Sequence, residues 1–452
     1  MIFLPRVQKR LVNYHSGKAT SSLLYTIYQL IGWLIFIVVS PFFLIYSFIT
    51  GKHWQGLGQR LGFVGTIPRA DGPGLRIWLH AASVGEVQVA RALVAEIQKQ
   101  LPGSSLLLST VTRQGLAVAK KQLKGIRCIL APLDLYGIVN RALQAFQPDL
   151  YICLETELWP GILHQARKNG CRLLLLNGRM SERSFRNYLK IRGFMGDILS
   201  GFEAIAVIQK TDAARYTALG ATPEQLKIVG NAKYDLGFTM PEAATAEKYR
   251  NWLGLRPDQP VFLAGSTHTG EEELLVEVYR HLQEPHPDLV WLIAPRHLSR
   301  LDELKKMLAG RGLEYDCFSA VKKAGRRREI ILVDTMGDLA GLYSVARYIF
   351  CGGSLVNRGG HNILEAAVWG KPVVYGPSMK DFADAKELLE SAQAGFPVTT
   401  PQEAADIFLQ WARSPDDYEQ AAKKAKDVAL AQQGSARRQV ELIRSIVDSC
   451  EL

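Results

Sequence analysis

The chain has few cysteines and no pattern among them. Cys128, Cys153, Cys171, Cys317, Cys351 and Cys450 are scattered through 452 residues without a Cys-x-x-Cys pair. That argues against a disulfide scaffold and for reduced thiols acting as small hydrophobes in a cytosolic catalytic portion. The nine histidines include no His-Glu-x-x-His and no zinc-ligand spacing, so no metal site is expected. Asp-x-Asp is absent, which removes the visible ligands of a metal-bridged diphosphate. Gly-x-Gly-x-x-Gly is absent as well, and Trp369-Gly370-Lys371-Pro372 lacks the spacing and the Ser/Thr of a P-loop. No long Lys/Arg block and no aromatic RNA-binding motif occurs, which argues against nucleic acid.

Charge itself is missing from one segment. Ala19 to Gly51 contains no charged residue, and Leu23 to Ile49 is nearly continuous apolar sequence. A bilayer core of about 30 Å needs about 20 such residues, so the run predicts a membrane anchor. Tyr25, Tyr28, Trp33, Tyr46 and Trp54 are candidates for the interface. Length and the lack of an Ala-x-Ala site argue against a cleaved signal peptide. Basic residues flank both ends (Arg6, Lys9, Arg10 and Lys18 before; Lys52, Arg60 and Arg69 after), so charge does not orient it. Pro41 admits either a kinked single span or a re-entrant hairpin.

What is present describes a folded, basic protein. Hydrophobic residues make up 48% and charged residues 21%, and the net charge of +11 favours acidic lipid or phosphorylated partners. The length implies two domains. Past Gly51 the chain alternates apolar runs with helical patterns, twice over. The first set of expected strands is 75–80, 105–110, 127–131, 149–155, 172–177 and 204–208. The second is 261–265, 289–294, 330–333, 348–351 and 372–375. Between them lie amphipathic stretches such as Val87 to Gln100, with Val87, Ala90, Leu93 and Val94 on one face. Such alternation predicts two doubly wound, Rossmann-like α/β domains facing a cleft. The expected boundaries are an anchor at 1–51, domains at 52–235 and 236–433, and a terminal helix at 434–452.

Candidate chemistry clusters at strand ends. Tyr348 to Pro377 contains Gly352-Gly353 and Gly359-Gly360 before an expected helix start at His361-Asn362. Glycines permit close backbone approach and a helix start offers N–H groups, a way to hold phosphate without metal. Glu365 is placed to accept from ribose hydroxyls, and Asn362 to cap the helix or donate to phosphate. In His80-Ala81-Ala82-Ser83-Val84-Gly85-Glu86, a carboxylate opens a helix. The helix dipole alone explains such a Glu; a general base explains it as well. Glu155 and Glu157, beside Trp159, read either as sugar-binding acids or as helix caps. Pro295-Arg296-His297 offers a guanidinium to an anion. Ser266-Thr267 and Met336-Gly337 fall at comparable strand ends, and Lys233 at the inter-domain joint.

These motifs, in this order, resemble one family. His80–Glu86, Glu155–Pro160, Asn177–Ser184, Gly265–Glu273, Pro295–His297, Asp334–Leu339 and Gly352–Ala367 together are similar to the Kdo (3-deoxy-D-manno-octulosonic acid) transferases of lipopolysaccharide synthesis, glycosyltransferase family 30. The resemblance implies a GT-B fold, a CMP-Kdo donor and a tetraacylated, bisphosphorylated lipid A precursor as acceptor. It implies no cofactor, and a place on the cytoplasmic side of an anionic inner membrane. Matched position by position, Glu86 corresponds to the catalytic base, and Pro295, Arg296, Met336, Gly337, Asn362 and Glu365 to the CMP-binding positions, with Gly359 and Gly360 in the same loop. Ser266, Thr267, Lys233, Glu155 and Glu157 belong to motifs near the cleft. One departure stands out: the family tends to show Asn-Phe where this chain has Asp381-Phe382. The alternatives are another GT-B nucleotide-sugar transferase or epimerase, and a membrane-tethered nucleotide-binding module without catalysis.

Overall fold

The computed structural model of the chain describes residues 18–50, 56–66, 74–236 and 242–449. Arg6, Lys9, Arg10, Lys52, Trp54, Arg69 and Cys450 lie outside the described residues. The described chain divides into two compact units, 1–236 with 434–452, and 237–433.

The apolar run forms one helix, α1 (Lys18–Thr50), continuous through Pro41, so no hairpin forms there. From Leu23 to Thr50 it is long and apolar enough to cross a membrane, with a mean hydropathy of 2.2 and almost none of it buried. Its first turns are held by the folded body. Tyr25, Tyr28, Gln29 and Gly32 follow i, i+3, i+4, i+7 spacing and so share one face. The Tyr28 hydroxyl donates to Asp134 (2.7 Å), Gln29 accepts from the Tyr136 N–H (2.8 Å), and Tyr25 stacks on His164 (4.0 Å between ring centres). Tyr25 and Tyr28, expected as interfacial aromatics, pack on the folded body.

The first unit holds a parallel sheet of β1 (Arg76–His80), β2 (Ser105–Thr110), β3 (Arg127–Leu130), β4 (Leu150–Leu154), β5 (Arg172–Gly178), β6 (Phe202–Val207) and β7 (Leu226–Ile228), in the order β3-β2-β1-β4-β5-β6-β7. Its central strands are buried on both faces, which is why they read as unbroken apolar runs rather than alternating ones. One face packs on Val87, Leu93 and Ile97 of the helix Val84–Gln100 (α3, after the short α2, Leu57–Arg60), the other on Val139, Phe146 and Ile162. The helix Ser435–Asp448 belongs to this unit. Val440 and Ile443 are buried against the α3 layer, at about 1.5–3 kcal/mol each. The Asp235 carboxylate accepts from the N–H groups of Gly434 and Ala436 at its start.

The second unit repeats the plan with β8 (Val261–Thr267), β9 (Val290–Pro295), β10 (Tyr315–Cys317), β11 (Ile330–Leu332), β12 (Tyr348–Cys351), β13 (Val373–Tyr375) and β14 (Gly395–Pro397), ordered β10-β11-β9-β8-β12-β13-β14. All eleven strands expected from sequence are present, within a few residues at their ends. Three more, β7, β10 and β14, are additions. Each is a three-residue edge strand (Leu-Lys-Ile, Tyr-Asp-Cys, Gly-Phe-Pro) created by pairing with a neighbour, too short and too mixed to carry a period.

Candidate active site

In the first sheet β1 neighbours β4, in the second β8 neighbours β12, and at each of these pairs the crossovers depart in opposite directions. Such a switch point opens a crevice at the strands' carboxyl ends. In the first unit the residues there are His80 to Glu86 after β1 and Glu155 to Trp159 after β4.

Glu86 is part of its helix cap. The Ser83 side chain accepts from the Glu86 N–H (3.3 Å), and the Glu86 carboxylate accepts from the Ala82 N–H and the Ser83 hydroxyl, both at 2.8 Å. The capping reading and the catalytic reading therefore describe one side chain. It is 6% exposed. Burial, then the negative charges of Glu157 and Glu155, push its carboxyl up to about 8, against the pull of the two hydrogen bonds. A carboxyl in that range is a far stronger base than an ordinary glutamate and is still ionised in part near neutral pH.

The neighbouring acids are themselves held. Glu157 accepts from the Trp159 indole N–H (2.6 Å), and burial raises its carboxyl. Glu155 sits at φ 55°, a conformation costly for a non-glycine residue, and pairs with Arg179 at 3.0 Å. His80, buried beside them, contacts Ser109 through Nδ1 (2.8 Å), and its Nε2 lies 3.8 Å from Glu157. Burial, then the charge of Arg60, pulls the imidazole down to about 4, so it is neutral and this contact is not an ion pair. Lys233 lies in the 3-10 turn Ala232–Leu236 alongside α3, its N–H donating to Asn231 (2.9 Å).

At the second switch point, β8 ends in Ser266, at φ 57° in a register break with β9, and in Thr267, whose buried hydroxyl has no partner among the described residues. Pro295 closes β9, and the exposed Arg296 follows, its N–H donating to the Thr267 carbonyl (3.0 Å). Burial raises the Glu365 carboxyl, while a hydrogen bond from Asn362 (3.2 Å) and the charge of Arg296 oppose the rise. The His268 and His361 rings stack 5.3 Å apart with Nε2 atoms at 3.1 Å. Burial and then Arg296 bring His361 down to about 4, and burial with its cationic neighbours lowers His268 too. Arg296 and Arg358 bring positive charge to these two imidazoles, while Arg300 is paired with Glu272 (2.8 Å) and Glu303 (3.2 Å). Met336, 77% exposed, and Gly337 follow β11, two strands from β8.

The glycine loop departs from expectation. The N–H groups of Gly352, Gly353, Gly359 and Gly360 are engaged inside the protein, by the Gly265 carbonyl, Glu271, the Ser378 hydroxyl and the Gly353 carbonyl. The helix expected from His361 begins at Leu364 and runs for one turn, with Asn362 accepting from the Leu364 N–H (3.2 Å). Gly359 and Gly360 are needed for shape. Both have positive φ (87° and 72°), and a Cβ would strike the Asp381 carboxylate or the Met379 sulfur. Asp381, the departure from the family pattern, thus buttresses this loop, its N–H donating to the Gly359 carbonyl (3.1 Å).

Sequence reasoning missed the residue that organises this region. The fully buried Glu271 accepts backbone N–H bonds from His268, Gly353, Ser354 and Leu355 (2.6–3.0 Å), tying the loop after β8 to the loop after β12. It fills with its own carboxylate the nest that a phosphate was expected to occupy. In sequence Glu271-Glu272-Glu273 reads as an ordinary acidic first helical turn, and nothing marks the first of the three.

Tandem parallel doubly wound sheets with polar groups gathered at each switch point define a GT-B-type fold. The same fold spans 82% of this chain and 100% of the UDP-GlcNAc 2-epimerase of Neisseria meningitidis bound to UDP-GlcNAc (TM-score 0.52, 14% identity). Residues 55–236 match the family model of the 3-deoxy-D-manno-octulosonic-acid transferases. The 3-deoxy-D-manno-octulosonic acid transferase of Haemophilus influenzae is 30% identical over 400 residues, covering 88% of this chain and 92% of that protein. That of Chlamydophila psittaci is 30% identical over 363 residues, covering 80% and 82%. The chain belongs to the Kdo transferase family, and it is a glycosyltransferase.

Proposed function

We propose that the protein is an inverting, metal-independent transferase that moves Kdo from CMP-Kdo to a lipid A precursor (lipid IVA). Its place is the cytoplasmic side of an anionic inner membrane, with α1 as anchor. The observation that carries this reading is the buried Glu86 carboxyl, raised to about 8 at the switch point of the first sheet. In the proposed reaction Glu86 takes the proton of the acceptor's primary hydroxyl. The freed oxygen attacks the anomeric carbon, the bond from that carbon to the CMP phosphate oxygen breaks, and CMP departs with the electron pair. Neutralising the leaving phosphate falls to Arg296, with the neutral imidazoles beside it able to donate an N–H, since the glycine N–H groups are engaged elsewhere. Pro295, Met336, Gly337, Gly359, Gly360, Asn362 and Glu365 shape the nucleotide site, Glu365 accepting from ribose. Ser266 and Thr267 add polar groups at the end of β8, and Lys233 adds a cation in the first unit. The absence of Asp-x-Asp from the sequence supports metal independence.

The test is incubation of the membrane-bound enzyme with CMP-Kdo and the lipid precursor, with and without EDTA, followed by mass spectrometry of the lipid. The expected product carries at least one added Kdo, at the same rate in EDTA. An unmodified lipid, or a product formed from a UDP-sugar instead, overturns the reading in favour of another nucleotide-sugar enzyme or a tethered binding module.

A pH prediction follows from the acids around Glu86. The base must be ionised to accept a proton, so turnover falls as pH drops through about 8. Replacing Glu157 with Gln removes the larger of the two repelling charges. The acidic limb of the rate profile then shifts to lower pH. A limb that stays in place shows that Glu157 does not set the Glu86 ionisation.

A further inference from the structure

Between α1 and the body of the first unit lies an apolar groove of about 1100 Å³, larger than the roughly 300–1,000 Å³ of common small-molecule sites. One wall is the second half of α1, through Ile35, Val39 and Phe43; the other is Leu57, Leu61 and Leu133. The helix that forms the first wall is the one long and apolar enough to cross a membrane. Among the described residues the groove carries two cations, Arg60 and Arg113. Arg60 is steadied by the carbonyls of Val111 and Ala131, and burial, then the charge of nearby Arg113, lowers its guanidinium. The one carboxylate on the wall, Asp134, is engaged by the Tyr28 hydroxyl and the N–H groups of Gly161 and Ile162. Its charge is thereby satisfied within the protein, and an anion brought in from outside gains from the positive charge of Arg60.

Through Trp159 the groove borders the acids that follow β4. Trp159 lines it and donates its indole N–H to Glu157, whose charge acts on Glu86. An amphiphile lying here would place a hydrocarbon chain against α1, an anionic group beside Arg60 and Arg113, and its polar head toward the acids after β4.

We propose that this groove holds a fatty acyl chain of the phosphorylated glycolipid acceptor during transfer, with Arg60 and Arg113 facing an acceptor phosphate. The proposal rests on the transferase reading above. It makes the anchor helix one wall of the acceptor site, and it makes acyl chains a recognised part of the substrate.

Two measurements on the full-length, membrane-reconstituted enzyme test it. In the first, kcat/KM is compared for the acylated acceptor and for the same phosphorylated disaccharide stripped of its acyl chains. The wild-type enzyme is expected to prefer the acylated form, and Val39→Trp, which fills the groove, to lose at least about tenfold of that preference. An unaltered preference in a Val39→Trp enzyme that melts at the wild-type temperature overturns the proposal. In the second, the wild-type enzyme is photolabelled with an acceptor bearing a diazirine at an acyl terminus. Labels are expected within residues 31–44 and 57–61 and are displaced by excess unlabelled acceptor. Labels elsewhere overturn it, as does equal labelling by a diazirine phospholipid that the acceptor does not displace, which would assign the groove to bulk bilayer lipid. Displaceable labelling of the groove in an enzyme that transfers no Kdo supports the groove and sinks the transferase reading, so the two fail separately.

Discussion

Glu86→Gln lowers kcat by about 10²–10⁴, the usual contribution of a positioned general base, and leaves CMP affinity unchanged. The amide keeps the shape of the side chain and can still accept one of the two hydrogen bonds now made by the carboxylate, so the start of α3 is largely preserved. What it cannot do is take a proton. The burial and repulsion that bring the carboxyl to about 8 have no counterpart in a neutral amide, and the acidic limb of the rate profile disappears with the base. Single-turnover rates with CMP-Kdo, beside calorimetric titration with CMP, separate the two effects. A variant that turns over at the wild-type rate would show that Glu86 is a helix cap and nothing more.

Glu271→Ala is expected to unfold more readily and to lose donor affinity together. The substitution leaves four backbone N–H groups without their acceptor, those of the half-buried His268 and Leu355 and of the buried Gly353 and Ser354. An orphaned buried donor costs about 1–3 kcal/mol. With water partly replacing the carboxylate, a net loss on the order of 3–5 kcal/mol follows, which is at the upper end for one substitution. At about 2–4 °C per kcal/mol for a unit of this size, the thermal midpoint falls by about 10 °C. Because the same carboxylate joins the loops after β8 and β12, CMP binding weakens even well below the new midpoint. Scanning calorimetry and CMP titration check both. An unchanged midpoint would mean that the loops hold their shape without it.

The two substitutions differ in how far their targets were legible. Glu86 stands within a motif whose order along the chain carries the family resemblance, and the N-terminal position of a helix is itself readable from Ser83 and the apolar period after it. Glu271 stands in a run of three acids that a helix dipole already explains, and only the approach of a strand end from some 80 residues away gives it three of its four donors. The same holds for His80, whose neutrality comes from full burial and the charge of Arg60, and for Arg60 itself, which in sequence is one more basic residue after an anchor.

By itself the sequence determined the local and the periodic. Two runs of α/β alternation, the apolar helix, the eleven expected strands and the position of each motif at a strand end all follow from patterns contained within a few residues of chain. Tertiary structure alone decided three things: which edge segments became strands, whether the glycine N–H groups faced a ligand or the protein, and what ionisation each buried acid adopts. The physical reason is common to all three. A short edge strand of mixed residues exists only through its neighbour's hydrogen bonds, a backbone N–H takes whichever acceptor packing delivers, and a pKa responds to burial and to charges that arrive from distant parts of the chain.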